Sequence, residues 1–164
     1  MIKFRQETKV DTPDIEALLD VAFGNHRYSR IAYKFRSGVR AIPELCLVAY
    51  KYNQLIGSIR FWPIDVSGSS EGLLLGPIAV YPTFSRLGIG TQLIQKSLAL
   101  AKTGEYDIVV VFGSHKYLGR FGFCNQHNLK IETITDIDQE RFLVLELKSG
   151  SRTTANGLVK KVNS

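Results

Sequence analysis

The sequence predicts an α/β fold, in which a mixed β-sheet carries helices on both faces. Residues 73–80 and 106–112 are strongly apolar runs typical of buried strands. An amphipathic helical pattern over residues 87–101 connects them, so we expect the two strands to be parallel, as in a right-handed crossover unit. The length of 164 residues suits one domain with a sizeable core. We expect this domain to span residues 1–148 and residues 149–164 to form a loosely held basic C-terminal arm.

The remaining elements give the order β-α-α-β-β-β-α-β-α-β-β. Residues 2–8 alternate like a strand near the sheet edge, and Thr12 with Pro13 predicts the start of a helix that Gly24 ends. Residues 45–52 and 55–66 are predicted to form two strands of an antiparallel hairpin. Further elements are predicted as short helices at 28–36 and 115–120 and strands at 129–134 and 141–147.

The net charge of +6 is concentrated in two stretches that contain no acidic residue. One is 27–40, where Arg27, Arg30 and Lys34 share a helical face, and the other follows Glu146. The excess of positive charge suits anionic partners, including the phosphates of a nucleotide cofactor. It is too small to establish nucleic-acid binding. The stretch 27–40 is either a solvated surface or a cationic wall beside a substrate or cofactor.

No stretch of the sequence predicts a membrane or metal partner. None approaches the roughly 18–20 apolar residues of a transmembrane helix, and the first ten residues lack the apolar region of a signal peptide. Cys46 and Cys124 lie far apart and show no metal-ligand spacing, so we expect two buried thiols. A cytoplasmic location is the corresponding expectation.

The turn after residue 80 predicts a binding site for a phosphate or pyrophosphate. There a buried strand leads into a short turn and then into a helix whose first residues include Gly88 and Gly90. Such a helix start leaves main-chain N–H groups unpaired at the positive end of the helix dipole, and glycine lets an anion approach them closely. Two nucleotide motifs are excluded: no Lys-Ser/Thr pair follows Gly90, and position 93 is Leu where a dinucleotide motif needs Gly.

Three segments, LLLGPIAVYP, GIGTQLI and YLGRFGF, stand in an order that resembles the GNAT superfamily of acetyl-CoA-dependent N-acetyltransferases. The resemblance covers residues 2–147, is strongest over 73–123, and is closest to a bacterial branch of small predicted N-acetyltransferases. One signature position differs, because Ser85 stands where the family has Gln or Arg, with Arg86 beside it.

The resemblance implies a GNAT-like fold whose central strand carries a bulge and splays away from its parallel neighbour. Acetyl-CoA would then enter between 76–80 and 110–114, and an N–H near Ile78 or Ala79 would polarise the thioester carbonyl. The implied cofactor-binding residues are Ile78, Ala79, Val80, Ser85, Arg86, Leu87, Gly88, Ile89, Gly90, Thr91, Ser114 and Tyr117.

The resemblance also implies a tyrosine acid for the departing thiolate, but Leu118 occupies the usual position. Tyr117 stands one residue earlier, rotated by about 100° on a helix. We expect Tyr117 to be the acid, with packing or cofactor contact as the alternative, and His115 as a second candidate. The general base is open: a water relay or a neutral acceptor is preferred over the carboxylates Glu71, Glu44 and Asp65.

The implied function is transfer of acetyl from acetyl-CoA to a primary amine by direct attack in a ternary complex. The acceptor is a small molecule or a peptide, and the basic stretch 27–40 favours one that carries a carboxylate or phosphate. Two alternatives stay open: a non-catalytic CoA-binding sensor and acetylation of an RNA-carried amine. The protein is expected to be a monomer or a homodimer.

Overall fold

The two leading apolar runs form adjacent parallel strands in the middle of the sheet. This is seen in a computed structural model that describes residues 1–131 and 139–163. Its strands are β1 (Lys3–Gln6), β2 (Leu47–Lys51), β3 (Gln54–Val66), β4 (Gly72–Val80), β5 (Ile108–Phe112), β6 (Asn128–Lys130), β7 (Phe142–Glu146) and β8 (Asn156–Lys160). The α-helices used below are α1 (Thr12–Phe23), α2 (Ile31–Arg36), α3 (Ile89–Thr103), α4 (His115–Leu118) and α5 (Ser151–Thr154).

The main sheet has the strand order β1-β2-β3-β4-β5-β7. Only β4 and β5 are parallel neighbours in this order, and every other adjacent pair is antiparallel. Helix α3 makes the crossover between β4 and β5. The predicted mixed α/β fold is therefore confirmed.

The parallel strands stay together for three residue pairs, which end at Leu74 and Val110. Beyond that point β4 pairs with β3 alone. A register shift places three residue steps of β4, from Leu75 to Ile78, opposite two steps of β3, from Ile59 to Phe61. An extra residue of this kind is a β-bulge, which bends the strand. The expected splay of β4 from β5 is present.

Apolar side chains hold a helix against each face of the sheet. On one face, α3 buries Ile89, Leu93, Ile94, Leu98 and Ala101, as its amphipathic pattern predicts. On the other face, a cluster of buried side chains joins α1 to β2, β3 and β4: Ile15, Leu18, Leu19, Val48, Leu55 and Ala79. Removal of this apolar surface from water is the main favourable contribution to folding.

Helix boundaries differ from the predicted ones by one to three residues. Helix α1 begins at Thr12 with Asp11 as its N-cap, so Thr12 is not the cap. Residues Gly24–Ser29 form a 3-10 helix, which delays α2 to Ile31. Helix α3 begins at Ile89, because Gly88 adopts the left-handed conformation (φ 76°) that glycine favours.

The C-terminal residues belong to the folded domain, so the expectation of a loosely held arm is wrong for residues 151–160. Strand β8 pairs with β3 through Val159 and Val66 and with β6 through Gly157 and Leu129. Val159 itself is buried. The predicted strand at 129–134 is present as β6, which joins the eight-stranded sheet through β8 and lies off the path β1-β2-β3-β4-β5-β7. Residues 132–134 lie outside the described residues.

No described helix is both long enough and apolar enough to span a membrane. Both cysteines are free thiols. Cys46, which directly precedes β2, is buried as expected and contacts Ile42 and Phe61, whereas Cys124 is partly exposed.

Candidate active site

The splay between β4 and β5 opens a cleft with a cavity of about 220 Å³. Bulge residues of β4 form one wall, and the end of β5 with helix α4 forms the other. Residues of the N-terminal helical segments line a further side. The lining residues are Leu19, Phe23, Arg27, Arg30, Ala32, Arg36, Leu75, Gly76, Pro77, Ile78, Val111, Phe112, Gly113, Ser114, Tyr117, Leu118 and Arg141.

The main chain of β4 presents polar groups to this cleft. The Tyr81 N–H donates to the Ile56 carbonyl oxygen at 3.0 Å, and the ladder continues through the pair of Ala79 with Ser58. Hydrogen-bonding direction alternates along an antiparallel strand. The N–H and C=O groups of Ala79 therefore face β3, while those of Ile78 and Val80 face the open side.

The main-chain N–H groups of residues 86–91 lie together at the start of α3, in a segment where two residues have a positive φ. Arg86 (φ 69°) and Gly88 (φ 76°) are both left-handed, and the first helical bond runs from Gln92 N–H to the Gly88 carbonyl. Among the described residues, no protein acceptor is found for the N–H groups of Arg86, Leu87, Gly88, Ile89, Gly90 and Thr91. The Ser85 N–H differs, because it donates to Pro82 at 3.1 Å.

Tyr117 and Leu118 of helix α4 both line the cleft, but they differ in burial. The Leu118 side chain is buried and packs into the core cluster under α3. The Tyr117 side chain lines the cleft, with its ring held edge-on to Phe121 and beneath the Arg120 guanidinium, 4.6 Å from the ring centre. The Tyr117 hydroxyl reaches Gly90: a Cβ on that glycine would lie 3.2 Å from the oxygen.

Comparison with known proteins identifies the family that shares this arrangement. The family model described as "Acetyltransferase (GNAT) family" matches residues 12–123. The chain belongs to the GNAT acetyltransferase family. Uncharacterized N-acetyltransferase YhbS of Escherichia coli K12 is 31% identical over 130 residues, which are 77% of each chain. YjhQ of the same strain, also named an uncharacterized N-acetyltransferase, is 28% identical over 123 residues, 73% of this chain and 68% of YjhQ.

Solved structures of GNAT relatives share the fold. A crystal structure of E. coli YhbS in complex with CoA superposes with a TM-score of 0.82 at 26% identity, covering 98% of this chain and 89% of that one. A GNAT acetyltransferase from Brucella melitensis in complex with acetyl-CoA gives 0.68 at 27% identity, covering 90% and 89%. The expected GNAT fold and N-acetyltransferase class are thus confirmed.

The carboxylates considered as general bases do not line the GNAT cleft. Glu44 and Glu71 lie at the opposite end of β4, around a separate cavity where the Tyr106 hydroxyl contacts Glu44 at 3.3 Å. Asp65 is exposed beside β8. Within residues 1–131 and 139–163, no carboxylate lines the cleft and no three His, Cys, Asp or Glu side chains gather as a metal site. His115 is exposed and also lies outside the lining.

The basic stretch 27–40 contributes arginines to the cleft wall. Arg27, Arg30 and Arg36 line the cavity, whereas Lys34 is exposed and does not. Arg27 and Arg36 are buried, so they form no open basic surface of the kind that binds RNA phosphates. The geometry favours the cationic-wall interpretation for these three arginines.

A second cavity of about 220 Å³ adjoins the cleft and shares Leu19, Arg27, Arg36 and Pro77 with it. Its other lining residues are Glu16, Tyr28, Tyr33, Ser37, Gly38, Val39, Arg60 and Trp62. The sequence analysis did not identify Arg36, Arg60 or Arg141 as site residues. Of these three arginines, only Arg36 lies in the acid-free stretch 27–40. The sequence carried no signal for the other two, because the burial of a charged side chain depends on tertiary packing.

Proposed function

We propose that this GNAT enzyme transfers the acetyl group of acetyl-CoA to a primary amine, with both substrates bound at once. The observation that carries the proposal is the continuity of one groove: the β4/β5 cleft, the Tyr117 hydroxyl and the unpaired amides at the start of α3 adjoin one another. The relatives whose structures are described as complexes with CoA and acetyl-CoA support it.

The amides of residues 86–91 would hold the CoA pyrophosphate. They lie at the N-terminus of a 15-residue helix, where the helix dipole favours negative charge. The Ser85 amide is engaged with Pro82. The Ser85 hydroxyl donates to the same carbonyl oxygen at 2.8 Å, so it would have to leave that bond to donate to a phosphate.

The outward-facing groups of Ile78 and Val80 would bond to the amides of the pantetheine arm. Because the Ala79 N–H is directed to β3, the Ile78 N–H is favoured over it as the donor to the thioester carbonyl. A donor fixed in advance where negative charge develops lowers the barrier of acyl transfer. Ser114, at the end of the opposite wall, completes the proposed cofactor contacts.

Tyr117 is the proposed general acid. The amine nitrogen bonds to the acetyl carbon as the carbon–sulfur bond breaks, and the sulfur takes a proton from the Tyr117 hydroxyl. The proton lost by the amine returns through water to restore the tyrosine. Since no described carboxylate lines the cleft, an acceptor that arrives neutral, or one deprotonated by water, fits the site.

Two measurements test the proposal and separate it from a CoA sensor without turnover. Acetyl-CoA should raise the melting temperature, as any ligand of the native state does, and free thiol should appear when a panel of small amines and peptides is added. A shift without thiol release for any amine would favour the sensor. The absence of a shift at saturating acetyl-CoA would contradict both.

The acceptor side of the proposal is a small-molecule or peptide amine. We also place the protein in the cytoplasm, on the ground that both cysteines are free thiols.

A further inference from the structure

Arg36 is a buried cation at the junction of the two cavities. Its side chain lines both, and the residue is 9% exposed. The guanidinium carbon lies 5.5 Å from the centre of the Tyr33 ring and 6.0 Å from that of Trp62. Among residues 1–131 and 139–163, no carboxylate and no hydrogen-bond acceptor reaches its nitrogens.

Two neighbouring arginines, the buried Arg27 and the partly buried Arg60, differ from Arg36 in having carboxylate partners. Arg27 pairs with Glu16 at 2.6 Å and Asp20 at 3.1 Å. Arg60 pairs with Glu7 at 2.8 Å. Arg30 and Arg141 also line the cleft without an ion pair among the described residues, but both are exposed. Arg36 is therefore the buried guanidinium of the described cavity wall that lacks an anion.

The surroundings of Arg36 disfavour its charge. Burial lowers the pKa of the guanidinium to about 10, and the positive charges of Arg60, Arg27 and Arg30 act in the same direction. Arg36 nevertheless remains a cation at neutral pH. A buried charge is costly unless an opposite charge reaches it, and the surface of Arg36 that an anion can reach is the cavity.

We propose that Arg36 binds an anionic group of the acceptor, so that the acceptor is an amine that also carries a carboxylate or a phosphate. A guanidinium matches either group with two parallel hydrogen bonds. The inference rests on the proposed function, because the amine must reach the cleft while its anion remains at Arg36. Leu19 and Pro77, shared by both cavities, lie along that path.

Trp62 provides a readout that does not depend on turnover. It is the only tryptophan of the chain and lies beside Arg36 in the second cavity. Its fluorescence can be titrated, in the presence of CoA, with product-like probes in matched pairs: the N-acetyl derivatives of glycine, leucine and phenylalanine as free acids and as primary amides. N-acetylethanolamine phosphate and its alcohol form the phosphate arm.

The wild type should bind at least one anionic probe about tenfold or more tightly than its neutral partner, as expected for a charged hydrogen bond. Arg36→Gln should remove that preference, and Arg36→Lys should retain part of it. Arg40→Gln is the matched control, since it removes the same charge from an exposed position four residues away. The CoA-induced melting shift verifies that each variant is folded.

The two arms distinguish a carboxylate from a phosphate acceptor. If the wild type bound each anionic probe and its neutral partner equally in both arms, the proposal would be overturned. An unchanged preference in folded Arg36→Gln would also overturn it. The protein could prefer anionic probes through Arg36 and yet acetylate no amine. That result would support the anion site and would contradict only the proposed acetyl transfer.

Discussion

The Tyr117 hydroxyl lies against the α-carbon of Gly90, so closely that a methyl group on that carbon would be 3.2 Å from the oxygen. Helix α4 thereby meets the first turn of α3. Gly90 has no left-handed φ, so its backbone would accept alanine without strain. The requirement for glycine at position 90 therefore comes from space, shared between the proposed acid and the proposed pyrophosphate site.

Gly90→Ala should separate stability from cofactor binding. The melting temperature should stay level or rise, because alanine favours a helix over glycine by up to about 1 kcal/mol. The KM for acetyl-CoA should increase about tenfold, since the methyl displaces Tyr117 and narrows access to the amides. Steady-state kinetics and a melting curve measure both. In a Tyr117→Phe background the increase should be about twofold or less; an equal increase in both backgrounds would show that the contact is not responsible.

Tyr117→Phe should lower kcat by about a hundredfold while the KM values change little, as expected when a general acid is removed. Thiol release at saturating acetyl-CoA is the measurement. Tyr106→Phe is the matched control, because this partly buried hydroxyl contacts Glu44 at the other end of the sheet. Full activity of Tyr117→Phe would assign Tyr117 to packing or cofactor contact.

Asp11 should make folding stability depend on pH. Two hydrogen bonds from Arg5, both of 2.8 Å, hold the pKa of its buried carboxyl well below the usual 3.8, with further bonds from the Thr8 N–H and the Tyr50 hydroxyl. Because the folded pKa is lowered, the stabilisation is complete above about pH 5 and declines as pH falls below about 4.

Asp11→Asn should therefore reduce the free energy of unfolding by about 2 kcal/mol at pH 7. The difference from wild type should narrow between pH 5 and pH 3, in urea titrations at each pH. Asp65→Asn, at an exposed position, should show neither effect. A difference that stays constant across this pH range would exclude the carboxylate as its source.

The C-terminal strand should contribute to stability. Val159→Ala removes two methyl groups from a buried position paired with Val66, and should cost about 2 kcal/mol. Urea unfolding measures the loss, and Lys160→Ala, at the exposed next position, should be neutral. Equal stability of Val159→Ala and wild type would mean that β8 contributes little to the folded state.

The two thiols should react at very different rates. Burial raises the pKa of the Cys46 thiol to about 11, whereas Cys124 is partly exposed. Since the thiolate is the reactive form, iodoacetamide at pH 8 should modify Cys124 first, and Cys46 only on unfolding in denaturant. Mass spectrometry of digested protein locates the adducts. Modification of Cys46 at the Cys124 rate in native protein would contradict the burial of this thiol.

The crossover unit could be predicted because its three elements have unambiguous periodicity. Strand β8 could not: five residues with one buried side chain carry almost no pattern, and their partners in β3 lie some ninety residues earlier in the chain. The same limit applies at Arg36, where a run of basic residues usually indicates a solvated face. Its burial depends on α2 packing over the cleft.

At Tyr117 the sequence left two orientations open, since one helical position changes the direction of a side chain by about 100°. In the structure Leu118 takes the more buried position in the core cluster. The half-buried Tyr117 ring lines the cleft beside it, with its hydroxyl against Gly90.

Three residue pairs between β4 and β5 leave the sheet with an internal edge. Edge strands ordinarily invite association with other chains, but this one faces a cleft whose other lining residues come from β5, α4 and the N-terminal helices. A ligand with amide groups of its own can complete the missing ladder. Amide exchange at Ile78 and Val80 should consequently slow when such a ligand enters, as it would in a strand newly paired.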